Sequence, residues 1–200
     1  MIKNKINLLD CTLRDGGYYN NWFFERELIN EYLRVMDMIK IDYVEIGFRF
    51  LDKVKTKGPL AYSEESFLRS LKIPKNLKIG VMVNASDFVG QKNIIELAKK
   101  NFKPKKNSVI SLVRLACHHH EVKDVLPLIN WLKKSGYKVG VNIMQIPELS
   151  SREIKNTVKE VKKTKADILY FADSMGSLDA IKTKKIIHQI KTLWKKSTGI

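Results

Sequence analysis

Short, near-continuous apolar runs alternate along this chain with longer stretches in which apolar residues recur every three or four positions. That alternation predicts parallel strands separated by helices. Strands are expected at residues 6–12, 43–47, 77–83, 109–116, 138–143 and 167–172, and helices at 24–39, 63–71, 91–99, 121–134, 151–163 and 178–195. In the first helix Leu28, Tyr32, Val35 and Met36 share the expected core face, with Glu25, Glu27 and Glu31 on the outer side. Ser151 with Glu153 marks one helix start, and Ser135-Gly136 closes another. No Pro, Gly or Ser-rich linker interrupts the repeat, so residues 1–200 read as one domain. The longest irregular stretch, 49–62, follows a strand end and is placed to cover a site.

Six βα units fit either an open doubly wound sheet or most of a (β/α)8 barrel. The first βα turn, LRDGGYYN, lacks the GxGxxG fingerprint of the doubly wound nucleotide-binding form. Polar residues recur at the C-terminal end of strand after strand: Arg14 and Asp15, Glu45 and Arg49, Asn84 and Ser86, Arg114 and His118, Asn142 and Gln145, Asp173 and Ser174. A barrel gathers such ends on one face, where its active sites lie. The expected class is therefore α/β, a TIM (β/α)8-type barrel with about six units present.

Composition narrows the setting. With 44% apolar and 29% charged residues the chain is globular, and no run of 18 apolar residues or signal-peptide pattern appears. Cys11 and Cys117 make neither a disulfide framework nor a CxxC pair, which points to a reducing, cytoplasmic compartment and away from the membrane. The net charge of +16 comes from 37 Lys and Arg against 21 Asp and Glu. Lys dominates and is scattered over outer helix faces, which describes a solvated surface; with no helix-turn-helix, RNP or zinc motif, a nucleic-acid partner is not expected.

The segment LLDCTLRDGGYYN carries the most chemistry. Asp15 offers a carboxylate to a hard cation, Arg14 a guanidinium to an anionic group, and Gly16 with Gly17 let backbone approach a ligand. Taken alone, such a turn is equally a salt-bridged loop. The wider Asp-Cys-Thr-Leu-Arg-Asp-Gly motif resembles the signature of the DRE-TIM metallolyases. VEIGF at 44–48, VRLACHHHEVKDV at 113–125 and ADSMGSL at 172–178 are similar to the second, fourth and sixth strand motifs of that superfamily, in order, with the 4-hydroxy-2-oxovalerate aldolase branch nearest.

The resemblance implies a metal-dependent lyase that cleaves a 4-hydroxy-2-oxo acid to pyruvate and an aldehyde through an enolate. Asp15 would bind Mn2+ or Mg2+, and Arg14 would stabilise the enolate. Thr12 and Asp10 would support the strand end, and Glu45 would orient Arg14 or a metal-bound water, or else simply be a buried carboxylate satisfied by Arg14. Thr12, Gly16, Arg114, Asn142, Asp173 and Ser174 are the expected substrate-binding residues. The implied partners are a 2-oxo acid and either a second copy of the chain or a dehydrogenase that takes the aldehyde.

Two departures stand out. Where the aldolases carry a general-base His after the Asp-Gly, this chain has Tyr18, leaving Tyr18, Tyr19 and His118 as candidate bases. A phenol needs a strongly lowered pKa to serve near neutrality. The superfamily's seventh-strand His-x-His metal ligands have no counterpart before Ile200, and His188 lies on a predicted outer helix, so the reading expects part of a longer protein. Three successive histidines, His118 to His120, cannot all point at one ion from a strand end. Other functions left open are a Claisen-type acyltransferase of the isopropylmalate synthase kind and a non-catalytic scaffold derived from a lyase.

Overall fold

The computed structural model describes residues 6–200. The strands form one seven-stranded sheet in chain order, β1 to β7. A doubly wound sheet reverses its strand order part-way; sequential order is the connectivity of a (β/α) barrel. The chain packs as two compact units, Met1–Met82 with Pro104–Leu112, and Val83–Lys103 with Val113–Ile200. Among the described residues no helix is long and apolar enough to cross a membrane.

In the first unit, β1 (Leu9–Asp10) pairs in parallel with β2 (Tyr43–Phe48). Between them lie α1 (Thr12–Asn20) and α2 (Arg26–Met38). β2 pairs with β3 (Lys78–Asn84), and the register slips between Glu45 and Gly47. A slip of this kind re-aims side chains and is frequent beside functional sites. Every residue of β2 is buried, as expected of a parallel strand covered on both faces. A Cβ on Gly47 would lie 2.0 Å from the Leu60 carbonyl, so the turn at Pro59–Ala61 can close on the strand only because residue 47 has no side chain. The short α3 (Glu65–Arg69) follows.

The second unit holds α4 (Ile94–Asn101), α5 (Leu126–Lys134), β5 (Lys138–Ile143), α6 (Ser151–Lys162), β6 (Ile168–Phe171), α7 (Ala180–Leu193) and β7 (Ser197–Gly199). The strand between the third and fifth, β4, runs Ile110–Cys117, and the division between units passes through it and β3. β5, β6 and β7 pair in parallel. The Lys133 ammonium bonds the Asp167 carboxylate at 2.8 Å, and that carboxylate also accepts the Val139 N–H, tying α5 to the entrances of β5 and β6.

Several expectations need correction. The segment after β1 is not a glycine loop but helix α1; two glycines weaken a helix by roughly 1 kcal/mol each, yet Gly17 is needed because Trp22 packs where its Cβ would be, 2.0 Å from the ring. The core face of α2 is carried by Ile29 and Leu33, while Leu28 is 54% exposed, a rotation by one residue. The cap of α6 is Ser150, not Ser151: its hydroxyl accepts the Glu153 N–H and Glu153 answers to the Ser150 N–H, a reciprocal capping box. The strands number seven rather than six, since β7 begins where the sixth unit was expected to end.

Candidate active site

In the first unit the predicted residues of the Arg-Asp motif meet Glu45. Arg14 Nε donates to Glu45 Oε1 at 2.8 Å, and its NH1 group is ion-paired with Asp15. Glu45 is fully buried, Arg14 nearly so, and Asp15 leaves 62% of its side chain exposed. One guanidinium is therefore clamped from the protein side by a buried carboxylate, with a second carboxylate at the surface. Burial disfavours the charge on Arg14, but Glu45 and then Asp15 outweigh it, so the guanidinium holds its proton more tightly than usual. The β2–β3 register slips immediately after Glu45, next to this ion pair.

Asp10 and Thr12 act locally. Asp10 Oδ1 accepts the Thr12 N–H at 2.9 Å and the Tyr32 hydroxyl, so it closes the turn from β1 into α1 and fastens it to α2. Desolvation pushes the Asp10 pKa up, and the bonds from Tyr32 and Thr12 more than reverse this, leaving it below the ordinary value. Gly16, expected to face a ligand, sits inside α1 with only Phe24 near its α-carbon.

Sequence reading missed the group that holds Arg14 from behind. Asn21 and Trp22 are both left-handed, with φ of 55° and 60°; for a bulky residue that is a strained conformation. It plants the indole in the core, where Nε1 donates to the Arg14 carbonyl at 3.0 Å. The indole meets Tyr18, Phe48 and Phe50 edge to face at 5.0, 5.5 and 5.3 Å, and Phe48 stacks on Phe50 at 4.5 Å. The Arg14 guanidinium lies 5.9 Å from the Phe48 centroid and Lys57, from the long loop, 4.1 Å from that of Phe50. The run of Tyr18, Tyr19, Trp22, Phe23 and Phe24 behind the motif was the available signal. Arg49, at the end of β2 as expected, is a buried partner of Glu65, which also accepts the Ser108 hydroxyl and the Val109 N–H.

The pKa of Tyr18, a side chain 63% exposed, moves away from what a base requires. Burial, and secondarily the balance of Arg14 against Asp15 and Glu45, raises its pKa, the opposite of what proton abstraction near neutrality needs. Tyr19 is 95% exposed.

In the second unit Arg114 donates to Asn142 Oδ1 at 2.9 Å and lies 4.3 Å from the Tyr170 ring centroid. Asp173 takes the Ser177 and Leu178 N–H groups at 3.0 and 2.7 Å; the Leu178 bond first, then that from Ser177, lowers its pKa. Ser174 Oγ accepts the Gln145 N–H. The His118 N–H bonds Glu121, and its ring stacks on His120 at 5.6 Å. Cys117 is buried, and desolvation, with Glu121 beside it, drives its thiol far above the ordinary range.

The donor set does not by itself fit a resident divalent cation. Among the described residues no three His, Cys, Asp or Glu side chains gather around a point. Asp15 alone supplies one or two of the roughly six oxygens that Mg2+ requires, and one of its oxygens is held by Arg14.

No family model matches the chain. Among curated proteins it is 26% identical over 190 residues to the 4-hydroxy-2-oxovalerate aldolase of Carboxydothermus hydrogenoformans, covering 94% of this chain and 54% of that protein. It is 20% identical over 172 residues to the oxaloacetate decarboxylase of Mycobacterium tuberculosis, covering 85% and 48%. The N-terminal domain of a Bacteroides vulgatus protein provisionally called an aldolase superposes with a TM-score of 0.76 at 25% identity, over 96% of this chain and 61% of that one. The HMG-CoA lyase of Bacillus subtilis gives 0.72 at 10% identity, over 95% and 65%, a likeness of fold. Together these likenesses indicate the DRE-TIM metallolyase superfamily. Its fold is the α/β barrel type of these metallolyases, represented here by β1 to β7. The chain spans about half the length of the curated relatives it matches.

Proposed function

We propose that this chain is the catalytic part of a carbon–carbon lyase that generates a 2-oxo acid enolate, cleaving a 4-hydroxy-2-oxo acid to pyruvate and an aldehyde. The observation that carries the reading is Arg14, clamped on Glu45 at 2.8 Å beside the exposed Asp15. In retro-aldol cleavage the C4 hydroxyl passes its proton to a base, the C3–C4 bond breaks, C4 leaves as the aldehyde, the bonding pair passes to C3 and the C2 oxygen, and the enolate then takes up a proton at C3 to give pyruvate. A fixed guanidinium stabilises that oxygen at the moment charge develops, with no reorganisation to make. The relative named as an aldolase supports this assignment.

A second reading shares the enolate and differs in the proton. Loss of CO2 from oxaloacetate gives the pyruvate enolate without any hydroxyl proton to remove. The raised pKa of Tyr18 favours it, as does the likeness to the decarboxylase. Pyruvate release by the full-length protein, with and without added Mn2+ or Mg2+, from 4-hydroxy-2-oxovalerate and from oxaloacetate separates the two. Arg14→Lys should lower kcat far more than it raises KM, because a point charge cannot reproduce the forked donor. If neither substrate is turned over, and Arg14→Lys changes no measured ligand affinity, the non-catalytic scaffold takes the lyase's place.

A further inference from the structure

The histidine cluster after β4, unused in the reaction above, opens onto a cavity of about 440 Å³ on the outer side of the second unit. Its walls are His119, His120 and Lys123 from the segment following β4, and Glu153, Lys159 and Glu160 from α6, with Asn156 and Thr157 on the floor. Positions 153, 156, 157 and 160 recur at helical spacing, so one face of α6 lines the cavity. The opposite wall is ordered: Glu121 accepts the His118 N–H at 2.7 Å, the His118 and His120 rings lie parallel within 4°, and His119 meets His120 edge-on at 5.4 Å.

The charges of this cavity are not evenly spent. Glu153 is occupied by the N–H and hydroxyl of Ser150 at 2.8 and 2.6 Å, with His119 Nε2 3.9 Å from its other oxygen. Glu160 is paired with Lys163 at 2.7 Å. Both carboxylates are held below their usual pKa, Glu153 by the Ser150 bonds and Glu160 by the Lys163 bond, so neither becomes a proton donor to a ligand. Lys123 adds its charge to the lowering at Glu160, Lys159 makes no ion pair among the described residues, and the His, Asn156 and Thr157 side chains add further donors. The lining groups do not form a metal-binding set. What the cavity offers is an excess of donors converging from two walls, which suits a group with several anionic oxygens.

We propose that this cavity binds a phosphoryl group, free or carried by a small molecule, through Lys123 and Lys159, with the His119 and His120 imidazoles as the adjoining wall. The site is independent of the lyase reading, since it shares none of that reading's residues. The test is calorimetric titration of the full chain, at fixed ionic strength, with inorganic phosphate and with ribose 5-phosphate. Saturable binding is expected, weakened about tenfold or more by Lys123→Ala and by Lys159→Ala, and unchanged by Lys184→Ala on α7 or by Arg14→Lys. Tighter binding of the ester identifies a phosphorylated metabolite as the ligand, and equal binding identifies free phosphate. The proposal is overturned if no saturable binding occurs, if Lys184→Ala weakens it as much as Lys123→Ala, which would mean diffuse attraction to a basic surface, or if Arg14→Lys abolishes it.

Discussion

Arg14 in α1 and Arg114 within β4 are both sheltered arginines, yet the partners seen around them differ in kind. Arg14 is held by two carboxylates, one buried and one exposed. Arg114 donates to an amide and lies against an aromatic ring, in a region where Gly140 and Gly199 are pressed on that ring so closely that a Cβ would sit 2.6 and 2.1 Å from it. The first arrangement keeps a guanidinium charged, oriented and reachable. The second sets its guanidinium between an amide oxygen and a ring. A sheltered arginine is thus no guide to reactivity until its partners are known; the exposed carboxylate beside Arg14 is what the proposed lyase reading builds on.

The sharpest way to break this contrast is to remove the buried anion. Glu45→Gln leaves Arg14 with no buried counter-charge, and removing one partner of a buried pair costs about 3–5 kcal/mol. Urea unfolding should show a loss of that order, while Asn142→Ala, which deletes a neutral acceptor, should cost about 1–3 kcal/mol. Equal losses would mean that the two arginines are held in the same way.

Packing around Arg114 is tested next. Gly199→Ala and Gly140→Ala each force a methyl into the Tyr170 ring and should cost about 1–3 kcal/mol by overpacking. Thermal unfolding checks this, and a double variant with Tyr170→Leu should recover part of the loss. In the first unit Trp22→Phe keeps an aromatic ring but deletes the N–H that reaches the Arg14 carbonyl, at about 1 kcal/mol for the bond. There the more telling readout is kcat, which should fall with KM little changed if the indole positions Arg14.

How far the sequence foretold these regions follows from what each depends on. Strand β5, Lys138–Ile143, has the predicted bounds because its Val and Ile residues lie between the helix end at Ser135-Gly136 and the turn leading to Pro147. Helix α1 was invisible, since local propensity at Gly16-Gly17 argues against a helix and only the distant Trp22 ring requires small residues there. The Leu28 error arose because Leu28 and Ile29 are both apolar, and which faces inward is decided by the sheet. Arg14, Asp15 and Glu45 could be picked out from motif and strand position. Their mutual geometry could not, because it depends on how α1 comes to lie against β2, which no hydrophobic pattern encodes. The base role considered for Tyr18 likewise turned on burial, which a one-dimensional reading does not measure.

The smallest expected effect compares one carboxylate from each region. Asp10 is lowered because bonds from Tyr32 and Thr12 overcome desolvation, and Asp173 because the Leu178 and Ser177 N–H groups favour its anion. In both cases the folded pKa lies below the unfolded one, about 3.9, so the folded state binds the proton less well. Each contributes stability that is complete above that unfolded value and is lost as pH falls through the lower, folded one. Asp10→Asn and Asp173→Asn should therefore be less stable than the parent at pH 6 and converge on it as the solution is taken toward pH 3. Unfolding free energies measured across that window decide the matter, residue by residue. A deficit that stays constant down to pH 3 would show that the variant had lost shape or hydrogen-bond geometry rather than charge, and that carboxylate would no longer count among the groups stabilised by their bonds.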